Sequence, residues 1–135
     1  MNEKVPLDFQ KISEALWDFP FPKVDHVIGV ATGGTMPAGL VAHQLKRPLS
    51  LLHINYRAPD NSPAHPAPVL LRDVMLPKSK SHILLVDDVS VSGVTLSLAL
   101  SLLKDFEVFT FVLKGQADYV LFPEIKECVN WPWKR

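Results

Sequence analysis

Cysteine is almost absent: Cys128 is the single one in 135 residues. No internal disulfide can form, and a reducing compartment is the simplest setting. An excess of either charge is also missing, since Lys plus Arg and Asp plus Glu both number 14. That balance gives no electrostatic footing for a general nucleic-acid or polyanion binder, but it leaves room for one small anionic ligand at one site. No apolar run approaches bilayer-spanning length, and the opening MNEKVPLDFQ has no apolar core of signal-peptide length. There is no internal repeat. The expectation is a soluble, cytoplasmic protein without a membrane or nucleic-acid partner.

What is present is a core. Hydrophobic residues make up 47% of the chain, and its length fits one domain over residues 1–135. Phe9, Ile12, Leu16 and Phe19 recur at helical spacing within residues 6–19, and PFP at 20–22 ends that helix. VDHVIGV (24–30) reads as a strand, ATGGT (31–35) breaks it, and residues 37–46 suit a helix with Pro37 in its first turn. LSLLHIN (49–55) is the next strand. Residues 57–68 hold four prolines and form a loop, and VLLRDVML (69–76) reads as a short hairpin arm.

HILLVDD (82–88) has the near-continuous apolar run of a strand covered on both faces. Residues 94–103 are ambiguous. Leu96, Leu98, Leu100 and Leu102 alternate as in a strand, yet Ser97 and Ser101 share one helix face and β-branched residues are few. EVFTFVL (107–113) follows as a strand, and joining two parallel strands takes a crossover, so helix is the reading adopted. The fold class is α/β, with a mainly parallel central sheet flanked by helices.

The stretch VDDVSVSGVT drives a buried strand into two carboxylates. In open α/β sheets ligands bind beyond the carboxyl ends of strands, where Asp87 and Asp88 fall. Ser90, Val91, Ser92, Gly93, Val94 and Thr95 then form the turn into the next helix. Small residues let backbone N–H groups approach an anion there, and the Ser92 and Thr95 hydroxyls can donate to the same phosphate. The carboxylates suit sugar hydroxyls or a divalent cation instead. The plainer alternative is a solvated acid pair with Ser92 capping a helix.

The stretch resembles the phosphoribosyl-diphosphate signature of type I phosphoribosyltransferases: two acids, a short turn, then Thr/Ser-Gly-x-Thr. The resemblance implies that Asp87 and Asp88 hold the ribose hydroxyls, and magnesium directly or through ribose and water, while residues 90–95 bind the 5′-phosphate. It also implies a diphosphate-binding role for Ala31, Thr32, Gly33 and Gly34 within GVATGGTMPAGLVA (29–42). Taken alone, that stretch is an ordinary tight strand-to-helix turn.

LKGQADYVLFPEIKECVNWPW (113–133) is similar to the C-terminal part of the xanthine-guanine enzymes, which forms a small base-binding hood. By that match Lys114 contacts an exocyclic oxygen of a 6-oxopurine, Val129 offers backbone groups, and Cys128 stands where an aromatic stacks on the base. Taken alone, Lys114 is a solvated strand-end lysine, and Trp131 and Trp133 read as core or subunit-interface aromatics. Segment 57–68 takes the place of the family's closing loop. Tyr56 and Arg57 stand at its hinge, with Arg57 able to reach the diphosphate or serving as plain surface.

Three positions depart from the family pattern: Val91 replaces a turn acid, Thr32 a basic residue, and Cys128 the stacking aromatic. The resemblance therefore implies a magnesium-dependent, homodimeric enzyme. It would move the 5-phosphoribosyl group from phosphoribosyl diphosphate to a nucleobase, with Asp87, Asp88 and Arg57 as catalytic residues. The departures keep open a sensor that binds the sugar diphosphate or a nucleotide without turnover.

Overall fold

A computed structural model describes residues 4–55, 69–70, 77 and 80–133. In chain order the elements are β1 (Val5–Pro6), α1 (Phe9–Asp18), β2 (His26–Ala31), α2 (Thr35–Leu45), β3 (Leu49–Asn55) and β4 (Val69–Leu70). They continue as β5 (His82–Ser90), α3 (Val94–Leu102), β6 (Glu107–Gly115), β7 (Tyr119–Val120) and β8 (Val129–Asn130). The main sheet has the order β4-β3-β2-β5-β6-β7. Its five strands from β3 to β7 are parallel, and β4 joins antiparallel through Ile54 opposite Leu70. The α/β expectation holds, and residues 94–102 are helical, as the crossover requires.

Alternation along the strands sorts the core into two layers. Val27, Leu84, Val86, Phe111 and Leu113 pack with Ile12 and Leu16 of α1 and with Ala38 and Val41 of α2. Ile28, Val30, Leu52, Ile83, Leu85 and Val112 pack with Leu96, Ala99 and Leu103 at α3. At Gly29 an added Cβ would lie 2.5 Å from Ala38 Cβ, so this glycine sets how closely α2 can approach β2.

α1 starts at Asp8, whose carboxylate accepts the Lys11 N–H at 2.7 Å. The segment that ends α1 is anchored by aromatic rings, Phe19 lying 5.2 Å and Phe21 5.0 Å from the fully buried Phe111. After β6 the chain doubles back. Asp118 Oδ2 accepts from Thr110 N and Oγ1 at 2.9 and 3.1 Å, pinning the return so that β7 can pair with Phe111 and Val112.

Three details differ from the sequence reading. β5 runs to Ser90, because Val89 and Ser90 still pair with Lys114 and Gly115. The acid pair thus lies inside the strand, and Val94 and Thr95 belong to α3. β7 and the two-stranded sheet of β1 with β8 were not anticipated. Of the hairpin arm, Val69 and Leu70 are seen; Tyr56, Arg57 and the proline-rich loop lie outside the described residues. Among the described residues no helix is long and apolar enough to cross a membrane.

Two groups at the amino ends of the strands have displaced pKa values. The His82 backbone N–H donates to Asp25 Oδ2 at 2.8 Å and holds that carboxyl below its usual range, against the opposing effect of desolvation. Burial lowers the pKa of His26, whose Nε2 lies 2.8 Å from Ser50 Oγ.

Two outcomes follow. Phe111→Ala should cost about 3–5 kcal/mol of stability in urea unfolding, since it empties the shared centre of the aromatic cluster. His26 binds its proton more readily in the unfolded chain than in the native one. Its contribution to stability is therefore present above the ordinary value of 6.5 and is lost as pH falls from there to the lowered native value. Urea midpoints at successive pH values should show this loss, and His26→Gln should flatten it.

Candidate ligand site at the switch point of the sheet

From β2 the chain adds β3 on one side, whereas β5, the other neighbour of β2, leads to β6 on the opposite side. The strand order therefore reverses between β2 and β5, where a crevice opens at the carboxyl ends. The turn 32–34 after β2 and the turn 91–93 after β5 border it.

Asp87 and Asp88 sit beneath these turns at 8% and 6% exposure, so a solvated acid pair is not what the fold builds. Backbone N–H groups help to hold them: Asp88 N donates to Asp87 Oδ1 and Val89 N to Asp88 Oδ1, both at 2.8 Å. Gly33 lies directly against the second acid, since a Cβ there would stand 2.7 Å from both Asp88 oxygens. A Cβ on Gly34 would stand 2.6 Å from Val30 O and 2.7 Å from Val86 O. Only glycines let this turn lie flat across β2 and β5. Gly34 N then donates to Val30 O at 2.7 Å, and Gly34 O accepts from Ala38 N at 2.9 Å, starting α2. The Ala31–Thr32 peptide is cis.

The turn after β5 forms a small recess of about 50 Å3 lined by Asp87, Val89, Ser90, Val91, Ser92, Gly93, Thr95 and Leu96. Of the six residues expected to bind a 5′-phosphate, five line it; Val94 is exposed on α3. Gly93, at φ 79, is the residue that caps α3, without a side-chain cap bond. Ser92 Oγ accepts the Val94 N–H at 3.4 Å, a long bond that leaves the hydroxyl proton for another acceptor.

Ser90 and Val91 also line a second recess of about 220 Å3, with Lys114, Gly115, Gln116, Pro123, Ile125 and Lys126. The two recesses share a wall. Gln116 N donates to Ser90 O at 2.9 Å, and a Cβ on Gly115, at φ 113, would overlap that carbonyl. Glycine at 115 thus allows the ends of β5 and β6 to touch, bringing Lys114 beside the turn.

Cys128 and Val129 lie elsewhere. Cys128 is exposed, and its carbonyl accepts the Val5 N–H at 2.7 Å. Val129 pairs with Val5 in β1, its side chain buried in the core. Parallel pairing through its neighbours leaves its own N–H and C=O on the edge away from β1.

Trp131 is a core residue, as expected, and Trp133 stacks on it at 5.5 Å. Trp133 also walls a cavity of about 420 Å3 with Thr32, Gly33, Thr35 and Met36. Its Nε1 is buried with no hydrogen-bond partner among the described residues. Gln116, Pro123, Ile125 and Lys126 escaped the sequence reading, because neither GQA nor PEIKEC carries a periodic or motif signal.

Gly33→Ala should displace the Asp88 carboxylate while the strands persist. The checking measurement is the Asp88 side-chain carboxyl 13C resonance, expected to move with the amide pattern of β5 retained. An unchanged resonance would mean that the turn, not the acid, gives way.

The family model described as "Phosphoribosyl transferase domain" matches residues 9–117. No curated protein matches the chain. In fold it is similar to a purine phosphoribosyltransferase from Pyrococcus horikoshii Ot3, at 24% identity and TM-score 0.80, covering 100% of this chain and 95% of that one. It is similar too to a hypothetical protein from Neisseria gonorrhoeae with bound ppGpp, at 21% identity and TM-score 0.71, covering 100% and 91%. A third likeness is to hypoxanthine phosphoribosyltransferase from Trypanosoma cruzi complexed with the product IMP, at 17% identity and TM-score 0.65, covering 89% and 76%. At these identities the structural likeness is one of fold. The family model spans most of the chain, two glycine turns and the buried acid pair included, and the protein belongs to the phosphoribosyl transferase domain family.

Proposed function

We propose that the protein transfers the 5-phosphoribosyl group from phosphoribosyl diphosphate to a ring nitrogen of a nucleobase, a purine in salvage, and releases diphosphate. The observation that carries this reading is the close approach of Gly33 to Asp88, which sets a glycine turn directly against the buried acid pair. In this reading residues 90–93 and 95 receive the 5′-phosphate on backbone N–H groups and the Ser92 and Thr95 hydroxyls. Asp87 and Asp88 accept from the ribose hydroxyls and fix the sugar, so that its anomeric carbon faces the incoming base. Thr32, Gly33 and Gly34 face the leaving diphosphate, and Lys114 faces the base. The chain acts as a homodimer, as the family resemblance implies.

Among the described residues no group of three His, Cys, Asp or Glu side chains could enclose a metal ion. An adjacent carboxylate pair nonetheless suits magnesium, which takes one or two carboxylates and completes its shell with substrate oxygens and water. When bound at Asp87 and Asp88 it supplies neutralisation of diphosphate charge.

A second reading keeps the ligand and drops the reaction. Val91 is 77% exposed at the turn and cannot exchange a proton, and Cys128 offers no aromatic face. The ppGpp-bound Neisseria relative in fold gives nucleotide sensing some weight.

Diphosphate release is the deciding assay, run with phosphoribosyl diphosphate, magnesium and each base separately. Release with any base upholds transfer; binding without release upholds the sensor. Asp88→Asn keeps the shape and removes the charge, and should lower kcat/KM about a hundred-fold, the scale of losing one preorganised electrostatic contact. Unchanged kinetics would falsify the ledge.

A further inference from the structure

The recess between β6 and the C-terminal hood carries two lysines and no acid. Lys114 comes from the end of β6 and Lys126 from the hood, and none of the other lining residues is a carboxylate. Lys126 Nζ donates to the carbonyl of Pro123, another lining residue, at 3.3 Å. Glu127, the next residue, is not part of the lining; its carboxylate accepts the Lys126 backbone N–H at 3.2 Å. Among the described residues neither lysine is in an ion pair. Pro123 and Ile125 supply an apolar wall against which a planar ring can lie.

Resting on the phosphoribosyl-transfer reading, we propose that this recess selects bases with two exocyclic oxygens, and that Lys126 determines that selectivity. The shared chemistry is a dioxo ring, met in the purine xanthine and in the pyrimidines uracil and orotate. Each ammonium is a donor with no capacity to accept. One carbonyl oxygen satisfies Lys114, and a second draws Lys126 from the Pro123 carbonyl; negative charge on the ring strengthens both contacts. An exocyclic amine is itself a donor. Placed between two ammonium groups it faces two donors that cannot accept its protons. It must compete with Lys126 for the Pro123 carbonyl or turn to Ser90 or Gln116, and a mismatched polar group of that kind is selected against. A base with one oxygen stands between, leaving Lys126 bound where it is.

The experiment measures kcat/KM for xanthine, uracil, orotate, hypoxanthine and adenine with phosphoribosyl diphosphate and magnesium. It uses the full chain and its Lys126→Gln and Lys126→Arg variants. At least one dioxo base is expected to exceed hypoxanthine about ten-fold, and adenine by more. The purine and pyrimidine arms identify which ring the recess fits. Lys126→Gln should lower the value for that base about ten-fold, mainly through KM, with a much smaller loss for hypoxanthine, and Lys126→Arg should recover most of it.

A best rate with adenine or hypoxanthine overturns the proposal, as does an equal loss for every base in Lys126→Gln. If no base turns over, calorimetry with XMP, UMP, OMP, IMP and AMP decides. Tighter binding of a dioxo nucleotide, lost in Lys126→Gln, upholds the selectivity, and equal affinities overturn it. Binding of none of the nucleotides removes the phosphoribosyl reading itself, and the selectivity with it.

Discussion

Everything at the crevice depends on how closely the turn after β2 lies against β5. Two missing side chains make that approach possible. With no Cβ at residues 33 and 34, backbone reaches the Val30 and Val86 carbonyls and covers the Asp88 carboxylate. A buried acid is costly unless it is hydrogen-bonded, and here backbone N–H groups of the same strand are among its donors. Glycine spacing, acid burial and the position of the α2 N-terminus are one arrangement, and none can shift without the others.

A second close approach couples the other half of the site. Gly115 against Ser90 O, with the Gln116 N–H on that same oxygen, joins the end of β6 to the end of β5. The two recesses share Ser90 and Val91 for this reason. Both junctions are made between backbones, so they place side chains without relying on side-chain packing. That is an economical way to hold several ligand contacts in register, since strands are stiffer than loops.

Much of this was legible in the sequence wherever a signal repeats. The apolar run of residues 83–86 announced a strand covered on both faces, and the glycine breaks announced the turns. The crossover requirement decided correctly between helix and strand at residues 94–102. What could not be read was whatever depends on a neighbour. Ser90 looks like a turn residue, and only pairing with Gly115 makes it strand. β7 and β8 have two residues each, too few to show any period. Asp87 and Asp88 carry a surface composition but are buried by glycines more than fifty positions away in the chain. Lys126 carries a surface composition and stays exposed, yet the path of the chain sets it on the same recess as Lys114.

The pairing of β1 with β8 joins Val5 to Val129 and Pro6 to Asn130. During synthesis the first of these strands leaves the ribosome long before its partner exists. The parallel sheet can form meanwhile, since its strands lie between them in sequence, but the β1–β8 pair must wait until Val129 and Asn130 have been added. Val5 and Pro6 therefore act as a latch that closes only once Val129 and Asn130 are present, and a chain cut before them would keep the parallel strands and lose this second sheet.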